Sequence, residues 1–380
     1  MDLEIVVPVF NEERALAGSI RRLHEFLADG FPFSWQILIA DNASTDATLD
    51  VAAGLADELQ GVEVLHLPEK GRGRALHAAW SASPATVVAY MDVDLSTDLR
   101  ALLPLVAPLV SGHSDLAIGT RLSPSARVVR GPKREFISRS YNRLLHTMLR
   151  TRFSDAQCGF KAMRADTARR LLPSVVDQGW FFDTELLVLA ERAHLRIHEV
   201  PVDWVDDPDS RVEIVSTALG DLRGVMRLFA ASHVVRFMTI GAFSTIAYAL
   251  LYLAMRSPFG QSLANAVALA LTAVANTHAN RHFTFGLRGR RGLLRQHAAG
   301  AIVFAFTLAL TSAALALLQG VDPHPGRALE VAVLVLAGVC ATVTRYVGLR
   351  TWVFGRSRRR REALAMGVSQ SQGRAARTDP

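Results

Sequence analysis

Asp92 and Asp94 stand one residue apart in the stretch from Thr86 to Asp98, TVVAYMDVDLSTD, where a run of β-branched and apolar residues ends. Two carboxylates at that spacing can share one hard cation through oxygen ligands. Mg²⁺ held by one or two carboxylates usually keeps coordination positions for substrate phosphates, which is what a nucleotide-diphosphate donor needs. A lone Asp-x-Asp is more often a solvated acidic turn, so its company decides. Glu12 follows the apolar run Leu3 to Val9, and Asp41 follows Trp35 to Ala40, where a carboxylate could accept hydrogen bonds from a nucleobase or ribose. Gly71-Arg72-Gly73-Arg74-Ala75 reads as a loop whose small residues allow close backbone approach and whose arginines offer charge to a phosphate. It does not follow the first strand, so it is not a dinucleotide-binding fingerprint.

The elements that must position these groups are visible as short apolar runs. Leu3 to Val9, Trp35 to Ala40, Val62 to Leu67, the run before Asp92, and Asp115 to Gly119 read as strands. Between the first two, Phe10-Asn11-Glu12-Glu13 opens a helix with Ala15, Ile20, Leu23 and Leu27 at roughly helical spacing. Asn42 to Asp46 supplies turn and N-cap residues for the next helix. Strands alternating with helices predict a mostly parallel sheet covered on both faces. Open α/β sheets bind ligands beyond the carboxyl ends of their strands, so Glu12, Asp41, Asp92 and Asp94 should meet at one edge.

Half of the 380 residues are hydrophobic and the formal net charge is +7. The apolar residues concentrate beyond Ser232, which points to a membrane portion, while Met1-Asp2-Leu3-Glu4 lacks the basic start of a signal peptide. The front half is therefore expected in the cytosol. The two cysteines, Cys158 and Cys340, lie far apart and suggest neither a disulfide framework nor a zinc site. Cys158 reads as a small buried residue, not a nucleophile.

Taken together, Val6-Val7-Pro8-Val9-Phe10-Asn11-Glu12, Asp41 to Asp46 and Asp92-Val93-Asp94 resemble, in order and spacing, the GT-A fold of inverting sugar transferases. Further on, Ser154-Asp155-Ala156-Gln157-Cys158-Gly159-Phe160-Lys161, Gly179 to Leu187 (GWFFDTELL) and Val200-Pro201-Val202-Asp203-Trp204 look like the polyprenyl-phosphate sugar synthases. They are most similar to the dolichyl-phosphate glucosyltransferase branch. The resemblance spans roughly residues 3 to 213 and implies an inverting hexosyl transfer from a nucleotide-diphosphate sugar to polyprenyl phosphate. UDP-glucose is favoured as donor and GDP-mannose comes next.

By that resemblance Asp92 and Asp94 hold Mg²⁺ or Mn²⁺, and Pro8, Phe10, Glu12, Asp41, Gly73, Asp92 and Val93 contact the nucleotide sugar. Asp94, Arg121, Arg134 and Arg211 are the catalytic candidates, with Arg121, Arg134 and Arg139 offered to the lipid phosphate. Arg127 to Arg152 is rich in arginine and carries Ile137, Tyr141, Leu144, Leu145 and Met148 on one helical stripe, a pattern that suits an anionic membrane surface or an ordinary surface helix. Asp155 and Glu185 could orient those arginines or the sugar. Three positions depart from the family. Ser96 replaces a glutamine of many mannosyl members, Arg211 replaces a lysine, and Phe10 replaces a tyrosine.

In the second half, Val215, Leu219, Leu222, Met226 and Phe229 form an apolar stripe. Phe237 to Met255, Ser257 to Asn280 and Ala298 to Val321 are free of charge, and Ala328 to Leu349 is interrupted only by Glu330 and Arg345. A bilayer core takes about 20 residues, so four spans are expected. Arg281-His282-Phe283-Thr284-Phe285 and Arg350-Thr351-Trp352-Val353-Phe354 repeat one pattern before basic runs, which predicts two hairpins of like orientation with the basic side cytosolic. The basic charge is thereby explained by topology, with no nucleic acid as partner. The pattern resembles GtrA-like four-helix membrane domains.

The expected architecture is an α/β GT-A domain (1–213), a juxtamembrane amphipathic helix (214–232), an all-α transmembrane domain of four helices (233–355) and a basic, disordered tail (356–380). The product would be a lipid-phosphate-sugar donor for cell-envelope glycosylation, made by a multi-pass protein of the cell membrane with membrane lipids as partners. A homo-oligomer is left open. A mannosyl or aminosugar synthase, or a lipid-linked-sugar translocator whose front half only binds, are the alternatives.

Overall fold

The computed structural model describes residues 1–205, 214–284, 293–321 and 326–348. Arg211, the basic residues Arg288, Arg290 and Arg291, the second Arg-x-aromatic-x-Phe repeat and the tail from 356 lie outside them. The chain divides into two units, Met1–Ala230 and Ala231–Pro380.

The first unit begins β1 (Leu3–Val9), α1 (Leu16–Ala28), β2 (Trp35–Asn42), α2 (Thr48–Glu58), β3 (Val62–Leu67), α3 (Arg72–Ala82) and β4 (Val87–Met91). It continues with α4 (Leu102–Val110), β5 (Leu116–Thr120), β6 (Val128–Val129), α5 (Pro132–Leu149), β7 (Phe160–Arg164), α6 (Ala165–Leu171), α7 (Phe182–Arg192), β8 (Ile197–Pro201), β9 (Trp204–Val205) and α8 (Ile214–Ala230). Seven strands form one sheet in the order β3-β2-β1-β4-β7-β5-β8, and β6 pairs with β9. All neighbours run parallel except β7, which is antiparallel to both β4 and β5. The sheet is thus mixed, where alternation alone predicted a mostly parallel one.

Every residue of β4 and β5 is buried, as expected of strands covered on both faces. Pro8 is tolerated inside β1 because pairing with β4 stops at Val6–Tyr90. The stripe Leu16, Ile20, Leu23 and Leu27 seats α1 on one face of the sheet beside Ile5, Val7 and Ile37. Trp80, Tyr90, Phe153 and Phe182 fill the other face. Two sequence readings shift. α1 starts at Leu16, not at Phe10, because Asn11 takes a left-handed φ of 57° and its side chain accepts the N–H of Thr45 at 2.8 Å. The stretch from Arg72 to Ala75 is the first turn of α3, not a loop.

α8 packs on this unit by a face that differs from its apolar stripe. Asp221, Gly224, Val225 and Leu228 are buried, with Gly224 against the ring of Phe181, where a Cβ would lie 2.4 Å from the ring. Leu219, Leu222 and Met226 of the stripe are exposed.

The second unit holds α9 (His233–Ala279), α10 (Leu293–Val321) and α11 (Arg327–Gly348). Among the described residues Val235–Ala279 is long and apolar enough to cross a membrane. α9 breaks at Gly260, φ 74°, just after Pro258. Its contacts fall symmetrically about that break: Arg236 to Phe283 O at 3.4 Å, Ser244 to Thr272 O at 3.4 Å, Tyr248 to Asn265 at 2.7 Å. The two legs therefore run antiparallel, joined where glycine relieves a left-handed turn. Asn265 also donates to Thr311 at 3.2 Å, and buried Glu330 of α11 receives Arg256, Gln261 and Tyr252, the last at 3.0 Å. Polar groups in an apolar helix bundle must find partners of this kind. Replacing Glu330 by Ala leaves Arg256 unpaired and is expected to lower stability by about 2 kcal/mol. That is less than the roughly 3–5 kcal/mol for a fully buried pair, because Arg256 keeps 24% side-chain exposure. Thermal unfolding of the detergent-solubilised protein measures it.

Candidate active site

The carboxyl end of β4 delivers Asp92 into a tight turn. Its N–H donates to Gly159 O at 3.2 Å, Leu95 N–H returns to Asp92 O at 3.2 Å, and Leu95 adopts φ 47°. Asp94 projects outward and accepts Ser96 N–H at 3.0 Å. The far side of the turn is fastened to the β9 segment, with Val205 N–H on Ser96 O at 3.0 Å and Asp98 N–H on Asp203 O at 3.0 Å. A shallow recess bordered by Asp92, Asp94, Ser96, Gly159 and Trp204 remains between these anchors. Gly159 is dictated by Asp92, since a Cβ there would sit 1.7 Å from the carboxylate Oδ2.

Beneath the turn lies a buried charge network. Arg72 Nη2 reaches Asp92 at 2.6 Å and its Nη1 reaches Asp183 at 3.2 Å. Lys161, fully buried, lies 3.0 Å from Asp183, and its ammonium also donates to Tyr90 Oη at 3.2 Å and Cys158 O at 2.6 Å. Tyr90 donates to Asp183 in turn. Arg72 stacks over Tyr90 and Trp180. Burial would push Arg72 toward losing its proton, but Asp92, Tyr90 and Asp183 outweigh it and hold the guanidinium charged. Desolvation raises the Asp92 pKa, with Asp94 and Asp183 pushing the same way and Arg72 and Lys161 opposing. The carboxylate still keeps 45% side-chain exposure toward the recess.

Arg121, at the end of β5, is held in a fork by Asp155, Nε at 2.8 Å and Nη2 at 3.0 Å, and lies over Trp204. Burial opposes ionisation of Asp155, yet Arg121 lowers its pKa below the ordinary value. Cys158, pushed up to about 12 by burial, is no thiolate nucleophile.

The other predicted residues are placed as follows. Phe10 lies under Lys70, 3.7 Å from the ring centre, and Glu12 N–H donates to Thr48 at 2.8 Å. Pro8 and Val93 are half-buried. Asp41 is fully buried, inside β2 instead of beyond it, and bonds His66 Nδ1 at 2.7 Å, so the half-exposed imidazole is the group this pair offers to the edge. Gly73 is buried against Phe182 and Gln178, where its missing side chain serves helix packing. Arg134 and Arg139 stand on α5, Arg139 paired with Glu135. Glu185 holds Arg227 of α8 at 2.8 Å and the N–H groups of Val176 and Asp177, so it orients none of the proposed arginines at the site.

His66, Lys70 and Asp183 were missed as site residues. The register Asp41–His66 in adjoining strand ends is the signal that could have found the first, and the GWFFDTELL string already contained the last. Lys70 and Arg72 reach the edge because Asn42 accepts Gly71 N–H at 2.7 Å, a contact no local pattern encodes.

For a divalent ion the chain offers Asp94 and the free oxygen of Asp92. No group of three or more His, Cys, Asp or Glu side chains suited to a metal occurs among the described residues. Two hard oxygen donors fit Mg²⁺ or Mn²⁺ when the substrate's phosphates complete the shell.

The family described as Glycosyl transferase family 2 matches residues 4–172, and GtrA/DPMS, transmembrane domain, matches 236–354. Glycosyltransferase AglD of Haloferax volcanii is 36% identical over 248 residues, 64% of this chain and 40% of that protein. The dolichyl-phosphate beta-glucosyltransferase of Drosophila melanogaster is 30% identical over 227 residues, 56% of this chain and 69% of that protein. The chain thus spans less than half of the archaeal relative. Glucosyl-3-phosphoglycerate synthase from Mycobacterium tuberculosis, solved with uridine diphosphate, superposes with a TM-score of 0.45 and 23% identity over 60% of this chain and 79% of that one. With its family match and mixed sheet, the first unit is a GT-A-like α/β domain, and the second is a helical GtrA-like membrane domain.

Two expectations follow from this geometry. Gly159→Ala should cost about 1–3 kcal/mol by overpacking, and that cost should shrink in an Asp92→Ala background, where the clashing carboxylate is gone. Thermal melts of the two single variants and the double variant test it. Asp221 of α8, bonded by Gln157 at 2.8 Å, has its pKa pushed up to about 7 by burial, with Asp177 and Asp183 adding and Gln157 opposing. A folded-state value above the ordinary 3.8 means its contribution is complete below that pH and declines as pH rises to about 7. Asp221→Asn should flatten this part of the stability profile between about pH 4 and about pH 7. An unchanged slope would assign the dependence to other groups.

Proposed function

Because the chain belongs to glycosyl transferase family 2, with a dolichyl-phosphate beta-glucosyltransferase among its relatives, we propose that it transfers a hexose, glucose favoured, from a nucleotide-diphosphate sugar to polyprenyl phosphate with inversion. The reaction takes place at the cytosolic face of the cell membrane and makes a lipid-linked donor for cell-envelope glycosylation. The observation that carries this reading is the charge state of the site. Arg72 and Lys161 balance Asp92 and Asp183, so Asp94 stands as surplus negative charge at the rim. A divalent cation bound there supplies charge neutralisation for the leaving diphosphate.

The protein's own residues do the rest by positioning. Arg72 fixes one oxygen of Asp92 and leaves the other toward the recess. Asp155 holds the Arg121 guanidinium rigid over Trp204, at the parallel strand end beside the turn, where it can face an anionic partner. Phe10 offers a ring and the Asp41–His66 pair an imidazole to the nucleotide side. A phosphate acceptor is already anionic near neutral pH, so the attack on the anomeric carbon needs cations to bring two anions together more than it needs a general base. Arg134 and Arg139, with Arg121, are assigned to the lipid phosphate and Arg211 to the catalytic cations on the strength of the family resemblance. The membrane unit anchors the enzyme with its catalytic unit in the cytosol, crossing the bilayer as four spans.

The test is transfer from labelled UDP-glucose, GDP-mannose and UDP-N-acetylhexosamines to polyprenyl phosphate in membranes carrying wild type or Asp94→Ala, with and without Mg²⁺ or Mn²⁺. The expected result is a metal-dependent lipid product from UDP-glucose, reduced at least about 100-fold in the variant. A product from GDP-mannose instead would replace the sugar, and no product from any donor would reject the enzymatic reading.

A further inference from the structure

We propose that the first unit carries a second anion site, distinct from the acceptor's, for the phosphate headgroup of an anionic membrane phospholipid. It lies in the groove between the ends of α5 and α7. Arg150, Arg152, Arg192 and His194 stand on its rim, and Leu149, Val188, Leu195 and Ile197 supply apolar wall. The guanidinium groups of Arg150 and Arg152 make no hydrogen bond or ion pair among the described residues. Thr151 lies between them, 8% exposed, and its hydroxyl is buried without a partner. A buried hydroxyl beside two unengaged cations is a donor set awaiting an anion.

The two carboxylates of the groove, Glu191 and Glu199, face three arginines and so leave the balance positive. Both are fixed by backbone donors, Glu191 by the N–H groups of Arg152 and Phe153 at 2.8 and 3.1 Å and Glu199 by that of Ser154 at 3.1 Å, and neither pairs with the guanidinium of Arg150 or Arg152. Three helices end nearby, and basic residues commonly answer their free carbonyls. Arg192 does so, donating to Leu228 O at 3.2 Å, but Arg150 and Arg152 do not. Arg150 and His194 also hold left-handed backbone positions, φ 58° and 59°, where glycine is the easier residue.

The occupant follows from the surroundings. The Arg192–Leu228 bond ties the groove to the last turn of α8, which ends at Ala230, and the apolar α9 starts at His233. α8 presents Leu219, Leu222 and Met226 to the outside, and α5 presents Phe136, the surface expected where helices lie on lipid. A basic rim over apolar wall matches a phosphate joined to glycerol and acyl chain, and no soluble anion needs the apolar part.

The inference rests on the membrane attachment in the function proposed above but not on its chemistry. Native mass spectrometry of the full-length protein, given equal phosphatidylglycerol and phosphatidylcholine, reads lipid retention without reference to sugar transfer. Wild type should retain phosphatidylglycerol preferentially. Arg150→Gln with Arg152→Gln should lower that retention on the order of 10-fold, Arg150→Lys with Arg152→Lys should keep most of it, and Arg170→Gln on α6 should leave it unchanged. Thr151→Val, nearly isosteric, should also weaken it, so the site stays testable if the glutamine pair melts early. Equal retention of the two lipids, or no loss in either the glutamine pair or Thr151→Val, overturns the proposal. Displacement of phosphatidylglycerol by millimolar inorganic phosphate also overturns it, since that marks a soluble-anion site.

Discussion

Lys161 and Asp183 lie buried side by side beneath the turn that carries Asp92 and Asp94, and the rest of the site depends on keeping that pocket of charge neutral. Ions removed from water cost several kcal/mol each unless partnered with good geometry. Here one cluster draws on four elements: Arg72 from α3, Tyr90 from β4, Lys161 from β7 and Asp183 from α7. Displacing any of these elements would strand a charge. The network therefore fixes Asp92 as a rigid support fixes a ligand, and it leaves the one carboxylate outside it, Asp94, to define the excess charge at the surface.

The reversed strand is the topological means to this end. β7 is antiparallel to β4 and its first residue, Phe160, pairs with the last, Met91. The Asp155–Lys161 string lies just before and within the start of β7, so it arrives at the same edge as Asp92. Had β7 run parallel, the string would lie at the opposite edge of the sheet. β8, parallel again, carries Trp204 past its own carboxyl end to close the recess.

Much of this was legible in the sequence because it is local. Apolar runs announced β1, β2 and β4, and Asp92-Val93-Asp94 announced the edge. What was not legible depends on distant pairing. Strand direction in β7 is settled by neighbours, and Lys161, quoted within its string, gains meaning only from Asp183 on another helix. Asp41 read as a free acceptor because nothing near it in the chain revealed His66 across the ladder. In α8 the apolar stripe was read correctly as a stripe. The face that packs inward is a different one, set by Gly224 against Phe181. The bend in α9 was foreshadowed by Ser257-Pro258-Phe259-Gly260, since proline followed by glycine interrupts a helix by chemistry that acts within a turn.

The seat of α8 also bears on how the catalytic part could be produced alone. A fragment ended at residue 213, where the sequence resemblance of the front half stops, would unroof Phe181, strip Glu185 of Arg227 and Gln157 of Asp221, and uncover the pocket that holds Val225 and Leu228. A fragment carried to Ala230 keeps that lid in place while omitting the apolar helices. The boundary for a soluble enzyme is thus set by a notch in a helix, seventeen residues past the point where family likeness would have put the cut.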